Sequence, residues 1–401
     1  MLLAVALSVL PQGPASVETA GAPRPRDLEA LLRTAPRCAA MLDDARTHRL
    51  QVLLAEPYER ADGTIALAHS RLGDPDRYFY PASSIKLCGA VALLTTLNAH
   101  NLEHGTALGL DSRLVIEPRF DGDERVERDD SNVVDGTLTV AHALRKLFLV
   151  SDNQAYNHCL EVTGQDGVNR AMWRAGFASA RLWHRLSEPR SLAENRVTRP
   201  TRVGDVLFAA RDAGVELSNE RFTDRRLGTG YLADGELVDG PMSFDEKNAI
   251  ALEDLQAVLV EVVRPEIDTG RRGFPELTVE QRAFVVQSLG SLPRECDNPV
   301  YDPEDVPDHA CKFVWRGVSR VVPPEHLRVY DKIGRAYGFS VENAYVEDRR
   351  TGRGFFLAIV VYTNPDGVLN DDRYAYAELA EPFLDDVGEV VARAVFADER
   401  R

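Results

Sequence analysis

The stretch from Ser83 to Leu97, SSIKLCGAVALLTTL, is almost wholly apolar, and Lys86 is its single charged residue. A helix that is apolar on every side is typical of a protein interior, and a serine at its first position is a natural helix cap. The stretch therefore predicts a buried helix. It also predicts a lysine near the start of that helix, three residues after a serine.

The sequence on both sides of this helix predicts strands. Arg49–Ala55 and Thr64–Ser70 precede it, and Asp62-Gly63 between them is a strong hairpin signal. Three further strands are predicted near the end of the chain: Arg328–Ile333, Ser340–Glu347 and Gly354–Tyr362. The last of these is continuously apolar, which is typical of a central strand.

Apolar residues at helical spacing fill the middle of the chain. The predicted helices are Thr139–Val150, Gln154–Val162, Gly167–Arg174, Arg202–Arg211, Ala249–Val263, Val279–Leu289 and, after the last strand, Ala375–Phe396. This order predicts an α+β fold, in which a five-stranded antiparallel sheet is built from both chain ends and an all-helical lobe is inserted into it. We expect one catalytic domain over residues 27–401. Its sheet lobe takes about residues 45–80 and 325–401, and its helical lobe about residues 81–324.

The charge balance excludes one class of partner. The chain has 47 Lys and Arg against 63 Asp and Glu, a net charge of −16. A nucleic-acid partner is not expected, because phosphate binding requires a basic surface, although an acidic protein can still contain a local cationic cleft. No uninterrupted apolar run reaches the roughly 18 residues of a membrane span. Since no Cys and His cluster has zinc-ligand spacing, we expect neither a metal nor a cofactor.

The start of the chain predicts export. Leu2–Leu10 is apolar, and residues 11–26 are rich in Pro, Ala and Gly. The first feature is typical of a secretory signal and the second of a linker, so we expect a periplasmic or secreted protein. No Lys or Arg precedes the apolar stretch, which leaves a loose tail as the alternative. In an oxidising compartment Cys296 and Cys311 could close the acidic loop between them as a disulfide; two free thiols are the alternative.

Three short motifs carry chemistry. Ser83 and Lys86 lie three apart at a helix start, so the lysine can reach the serine oxygen. A serine becomes a nucleophile when a base takes its proton, and a buried lysine beside another cation can be that base. Ser151-Asp152-Asn153 directly follows a predicted helix. Lys332 and Gly334 lie on or next to a predicted strand. A lysine that points from a strand into a substrate cleft suits an anionic substrate. Each motif alone is weak: an N-cap serine with a snorkelling lysine explains the first more simply, and a loop or cap explains the second.

Together, in this order, the motifs resemble those of the serine β-lactamase and penicillin-binding-protein superfamily, most closely its class A-like branch. The resemblance covers roughly residue 49 to the end of the chain. It is carried by YFYPASSIKL (78–87), TVAHALRKLFLVSDNQAYNHCLEVTG (139–164) and DKIGRAYGFSVENAYV (331–346). It implies a β-lactamase/transpeptidase-like fold and a small-molecule β-lactam or a cell-wall peptide as substrate.

The resemblance implies a role for each matching residue. Ser83 would be the acylated nucleophile, and Lys86 would take its proton. Ser151 would relay a proton to the leaving nitrogen, and Asn153 would hydrogen-bond the substrate amide. Lys332 would supply positive potential for the substrate carboxylate.

The third motif also shows a departure from the family. The backbone N–H groups of Ser83 and Arg335 would form the oxyanion hole beside Gly334. Ile333, however, stands where the family usually has Thr or Ser, whose hydroxyl contacts the substrate carboxylate. Losing such a contact costs about 1–3 kcal/mol. Ordinary penicillins are therefore expected to be weaker substrates.

A second departure concerns the base that activates water for deacylation. Two candidates lie in RLSEPRSLAENRVTRP (185–200): Glu188, which precedes a proline as in the family, and Glu194, which precedes an asparagine at a different spacing. If neither acts, the acyl-enzyme would persist, as in a penicillin-binding protein. Ser151 and Lys332 are 181 positions apart, more than is typical of class A proteins. This predicts an insertion at about residues 216–324.

Three functions remain open from the sequence. The first is a serine hydrolase that forms an acyl-enzyme on Ser83 and hydrolyses a β-lactam or a related amide. The second is a D-alanyl carboxypeptidase or transpeptidase that acts on cell-wall peptide, and the third is a non-catalytic binding module that keeps the fold. The five intact polar motif residues argue against the module, because binding alone does not require all of them.

Overall fold

The computed structural model describes residues 23–397. The expected leader, Leu2–Leu10, lies outside the described residues. One described helix, Ala82–His104, is long and apolar enough to cross a membrane by length and composition, although no single uninterrupted run in the sequence indicates it. Of its most apolar window, 72% is buried inside the protein. This helix therefore turns most of its apolar surface to the protein core.

A single antiparallel sheet forms the centre of the fold. Its five long strands lie in the order Leu327–Asp331, Phe339–Asp348, Arg353–Tyr362, Gln51–Glu59 and Ile65–Leu72. A short sixth strand, Gly334–Ala336, follows the outermost strand and pairs with the same neighbour. The two chain ends meet where residues 51–55 pair with residues 356–360. The predicted α+β fold with a sheet built from both chain ends is confirmed.

Helices cover both faces of the sheet. Along the central strand Arg353–Tyr362, alternate side chains enter two separate apolar clusters, as the two-residue period of a strand requires. The front cluster holds the helices Lys86–His104, Val140–Leu149, Asn153–Ala175, Leu252–Val263 and Val279–Gly290. The back cluster holds the helices Leu28–Leu32, Pro36–Asp43, Trp315–Val318 and Glu381–Phe396.

Short elements complete the described chain. The remaining helical turns are Ala82–Ile85, Leu192–Asn195, Pro293–Glu295 and Tyr376–Ala380. The remaining strands are Leu114–Ile116, Thr201–Val203, Val206–Phe208, Arg226–Leu227, Gly230–Ala233, Glu236–Asp239, Met242–Ser243 and Val368–Leu369. Within the expected insertion, Gly230–Ala233 pairs in parallel with Val368–Leu369, so this segment is tied to the far end of the chain.

Two predicted helical segments differ from the structure. Gln154–Val162 and Gly167–Arg174 form one segment, Asn153–Ala175, which is interrupted only at Gly164, where φ is 67°. The helix predicted over Arg202–Arg211 is wrong, because this stretch contributes to a hairpin. Gly204, at a φ of 56°, supplies the turn, and the β-branched and aromatic residues on either side favour strands. Cys296 and Cys311 are both free thiols.

Candidate active site

The turn that carries Ser83 is built on strained backbone. Ala82 directly before it has a φ of 48°, a left-handed conformation that is costly for a residue with a side chain. The hydroxyl of Ser84 donates to the carbonyl of Pro81 at 2.6 Å and closes the turn. Ile85 is fully buried and anchors the turn in the front cluster. Ser83 itself is partly exposed and faces a cleft.

Lys86 is fully buried and is held by the second motif. Its Nζ donates to Asn153 Oδ1 at 2.6 Å and to the backbone carbonyl of Ser151. It also lies 3.4 Å from Ser151 Oγ. The first two motifs predicted from the sequence therefore meet through this one ammonium group.

The Ser151-Asp152-Asn153 motif sits at the start of a long helix, where Asp152 accepts the N–H of Ala155 at 2.8 Å as a cap. Ser151 has a φ of 57°, so this loop is strained like the Ser83 turn. Asn153 Nδ2 donates to Ser187 Oγ at 2.8 Å. That contact joins the motif to the loop that carries the expected deacylation base.

Lys332 completes the cluster from the sheet. It is 1% exposed, and its Nζ lies 2.7 Å from Ser151 Oγ and 3.1 Å from the carbonyl of Ile333. The hydroxyl of Ser151 thus lies within reach of two lysines, one from a helix and one from a strand. Such an arrangement gives a proton a short route between the helical lobe and the sheet.

The two lysines differ in charge state. Burial, together with the nearby Lys332, lowers the pKa of Lys86 to about 6. Burial also lowers the pKa of Lys332, but neighbouring acidic groups oppose the shift and its pKa is about 8. At neutral pH Lys86 is therefore mostly neutral and can accept a proton, whereas Lys332 is mostly charged. Groups with pKa values set apart in this way suit acid and base roles.

Gly334 lets the strand approach the Ser83 turn. A Cβ atom at this position would lie 2.2 Å from the carbonyl oxygen of Pro81 and 3.0 Å from the backbone nitrogen of Ser83. Only a glycine fits this contact. The close approach brings the strand backbone that includes Arg335 N–H to the N–H of Ser83.

The side chain of Arg335 does not point at the nucleophile. Its guanidinium lies 4.5 Å from the ring centre of Phe313 and 5.0 Å from that of Tyr376, and it pairs with Glu381 at 3.1 Å. This side chain lies beside Tyr376 at the wall of the cleft, and the oxyanion-hole role expected of Arg335 concerns its backbone N–H alone. Ile333 is 6% exposed and packs in the back cluster, so its side chain lies on the face of the sheet away from the cleft.

The two candidate glutamates occupy different places. Glu188 lines the cleft, accepts Asn157 Nδ2 at 3.1 Å and pairs with Arg190 at 2.6 Å. Glu194 instead completes a capping box with Ser191 on its own short helix. Of the two, the structure brings only Glu188 to the wall of the cleft.

Comparison with known proteins identifies the fold. Residues 69–215 match the model of the beta-lactamase enzyme family. A β-lactamase from Burkholderia ambifaria is 17% identical, with a TM-score of 0.50, over 90% of this chain and 99% of that chain. A β-lactamase from Xanthomonas campestris is also 17% identical, with a TM-score of 0.50, over 92% of this chain and 98% of that one. This chain has the fold of the class A β-lactamases.

A variant of the reconstructed class A β-lactamase of the last common ancestor of Gram-negative bacteria is 18% identical. It aligns over 92% of this chain and 99% of that chain, with a TM-score of 0.50. A comparison with curated protein sequences gave no match. The β-lactamase-like fold predicted from the three motifs is confirmed, and at these identities the structural likeness concerns the fold.

One wall of the cleft could not be predicted from motifs. The cleft has a volume of ≈1060 Å³, and its far wall includes Ser243, Glu246 and Lys247 from the longer segment before Lys332. Facing residues come from the segment 370–376, which follows the strand Val368–Leu369. Pairing of that strand with Gly230–Ala233 joins the two parts of the wall. No local pattern marks this contact between distant segments.

A second missed signal is the distribution of lysines. Only five of the 47 basic residues are lysines, and the other 42 are arginines. Each lysine contacts a motif residue or its neighbour, or lines the cleft: Lys86, Lys146, Lys247, Lys312 and Lys332. Burial readily lowers the pKa of a lysine, whereas an arginine stays charged. The residue type whose charge can be tuned is therefore concentrated at the site.

Proposed function

We propose that this chain is a serine hydrolase of the class A β-lactamase-like type, which forms an acyl-enzyme on Ser83 and hydrolyses a β-lactam or a related amide. The observation that carries the proposal is the contact of one hydroxyl, Ser151 Oγ, with two buried lysines of unlike charge. A binding module has no use for this arrangement.

The geometry supports a sequence of proton transfers. Neutral Lys86 takes the proton of Ser83 Oγ, which attacks the substrate carbonyl carbon. The oxyanion develops beside the N–H of Ser83 and the strand that Gly334 brings near. The leaving nitrogen takes the Ser151 proton, which Lys86 replaces, and Lys332 holds the Ser151 oxygen during the exchange. The C–N bond breaks and the acyl group stays on Ser83.

Hydrolysis of the acyl-enzyme requires a base for water. Glu188 lines the cleft on the loop that Asn153 contacts through Ser187. Its carboxylate takes a proton from water, the hydroxide attacks the ester carbon, and Ser83 leaves with the proton returned to it. Pairing with Arg190 holds the Glu188 carboxylate in one position.

A specific observation favours a second candidate function. The ion pair between Glu188 and Arg190 is 2.6 Å long, so the carboxylate is already engaged by a cation. The other carboxylate oxygen accepts Asn157 Nδ2 at 3.1 Å, so both oxygens are already occupied by donors. If water is not activated, the acyl-enzyme persists, and the protein would act on cell-wall peptide as a D-alanyl carboxypeptidase or transpeptidase.

The proposal is tested by incubating the protein with a fluorescent penicillin and a chromogenic cephalosporin and following its intact mass over time. Turnover supports the hydrolase, and a stable adduct on Ser83 supports the second candidate. Ser83→Ala must abolish the adduct. Ser243→Ala is the matched control, because it removes another hydroxyl that lines the cleft, one that donates to Asp245 at 2.8 Å. A wild-type protein with neither adduct nor turnover would overturn both functions.

A further inference from the structure

The strand that leads to Lys332 is braced at the edge of the sheet by a buried lysine. Lys312 is 4% exposed, and its Nζ donates to three acceptors: the carbonyls of Leu289 at 2.8 Å and Val329 at 2.7 Å, and Asp331 Oδ1 at 2.6 Å. An ammonium group has three N–H donors, so these acceptors satisfy it fully. Lys312 thereby ties the end of the helix Val279–Gly290 to the outermost strand of the sheet.

Asp331, the partner of this lysine, is 2% exposed and lies beside a second buried acid. Glu342 accepts the N–H of Val314 at 3.1 Å and that of Asn343 at 3.0 Å. Asp331 Oδ2 is buried and accepts no N–H group. Burial raises the pKa of both carboxyls, that of Glu342 well above its usual range, and Lys312 opposes the rise at Asp331. Glu342 is therefore the acid that is more readily protonated, and Asp331 keeps the ion pair with Lys312.

This cluster and the catalytic cleft lie on opposite faces of one strand. Neighbouring side chains on a strand point in opposite directions, so Asp331 points to the back layer and Lys332 to the cleft. The N–H of Lys332 donates to the carbonyl of Asn343 at 3.0 Å, which continues the strand pairing to this residue. Movement of the braced strand would therefore move Lys332 as well.

The charged and titratable groups that face Lys332 come from several elements: Lys86, Cys311, Lys312, Asp331 and Glu342. Burial raises the pKa of the Cys311 thiol, so it is uncharged at neutral pH. Burial favours the neutral form of Glu342. Asp331, which pairs with Lys312 at 2.6 Å, is thus the carboxylate of this described set that offsets positive charge near Lys332, and Lys312 is the cation beside it.

We propose that Lys312 and Asp331 are positioning residues of the candidate active site: Lys312 braces the Lys332 strand, and the Asp331 carboxylate offsets the positive charge of Lys312 beside Lys332. The proposal rests on the proposed function. It gives the segment before Lys332 a role in the reaction, because Lys312 lies in that segment. Both residues are almost fully buried, and neither is among the residues that line the cleft.

The test uses the small number of lysines. Protein labelled with carbon-13 at the lysine Cε gives five signals, whose pH titrations can be followed by NMR without any substrate. Asp331→Asn removes the anion and leaves the cations, so the pKa of Lys332 falls by roughly 1 unit. The alkaline limb of acylation by a fluorescent penicillin shifts down by the same amount.

A double variant separates charge from packing. Lys312→Met combined with Asp331→Asn removes both the cation that repels the Lys332 charge and the anion that attracts it. The double variant also leaves no unpaired buried ammonium, so it remains measurable if the single variant fails to fold. The Lys332 titration should then lie closer to wild type than in the single variant. Asp348→Asn, which changes a buried carboxylate at the far end of the neighbouring strand, is the matched control and should not shift it.

The two proposals fail in distinguishable ways. Absence of an adduct in the wild-type protein would overturn the proposed function while leaving the NMR titration intact. An unchanged Lys332 pKa in both the single and the double variant would overturn the positioning role, whatever the acylation rate. A shift as large in the double variant as in the single one would overturn it too, because the charge of Lys312 would then not be what Asp331 offsets.

Discussion

Lys332 Nζ lies 2.7 Å from Ser151 Oγ, and the hydroxyl is also 3.4 Å from Lys86 Nζ. The two amino groups come from different lobes. Lys86 can therefore return a proton to the Ser151 hydroxyl while Lys332 donates a hydrogen bond to its oxygen. This relationship requires the two lysines to be in different protonation states. The pH range of activity is therefore fixed by the gap between their pKa values.

The rate of acylation should follow a bell-shaped pH profile. Lys86 must be neutral, so the rate rises as the pH passes its pKa of about 6. Lys332 must be protonated, so the rate falls as the pH passes its pKa of about 8. Stopped-flow acylation with a fluorescent penicillin between pH 5 and 10 measures both limbs.

Lys332→Arg identifies the alkaline limb. An arginine keeps its charge above pH 12, so this limb should disappear from the profile even if the overall rate is lower. Lys247→Arg is the control, since Lys247 lines the cleft without contacting Ser151. An alkaline limb that stays near pH 8 in Lys332→Arg would show that another group sets it.

Part of this site could be predicted because its signals are local. Each motif lies within four residues of sequence, and helical spacing alone brings Lys86 to the face of Ser83. The predicted strands were found by their period and by turn residues such as Asp62-Gly63. Local patterns fail where the same apolar residues fit both a helix and a pair of strands. Over Arg202–Arg211 the turn at a single glycine makes the segment part of a hairpin.

Other features depend on contacts between distant segments. Lys312 is an ordinary lysine in an irregular stretch until folding brings it to Asp331, 19 positions later. The departure at Ile333 was visible in the sequence, but the face of the sheet to which it turns was not. The same holds for Glu188 and Glu194, which are alike in the sequence and distinguished only by the path of their loop.

Gly334→Ala should damage the oxyanion-binding side of the cleft. The added Cβ would lie 2.2 Å from the Pro81 carbonyl oxygen, so the strand must move away from the Ser83 turn. Loss of a well-placed oxyanion donor reduces the rate by about 100- to 1000-fold. The measurement is the second-order rate constant of acylation. Gly109→Ala, where nothing lies within 4 Å of the new Cβ, is the control, and equal rates in the two variants would contradict this use of Gly334.

Glu188→Gln should lengthen the life of the acyl-enzyme without slowing its formation. The amide keeps the size of the side chain but cannot take a proton from water, which removes a contribution of about 100- to 10,000-fold. Mass spectrometry of the adduct after removal of free penicillin measures its decay. Glu194→Gln is the matched control, because Glu194 caps its own helix. Equal adduct lifetimes in wild type and Glu188→Gln would remove Glu188 from the mechanism.

Arg185→Met should destabilise the protein through the loop that carries Glu188. Arg185 and Glu161 are each 2% exposed and pair at 2.9 Å, and Glu161 also accepts the N–H of Arg199 at 2.6 Å. Removing the arginine leaves a buried carboxylate without its cation, which costs about 3–5 kcal/mol of the free energy of unfolding. Urea unfolding measures the loss. The double variant Arg185→Met with Glu161→Met should recover most of the lost free energy of unfolding, since no uncompensated buried charge remains. A double variant as unstable as the single one would mean that packing of the arginine, not its charge, stabilises the loop.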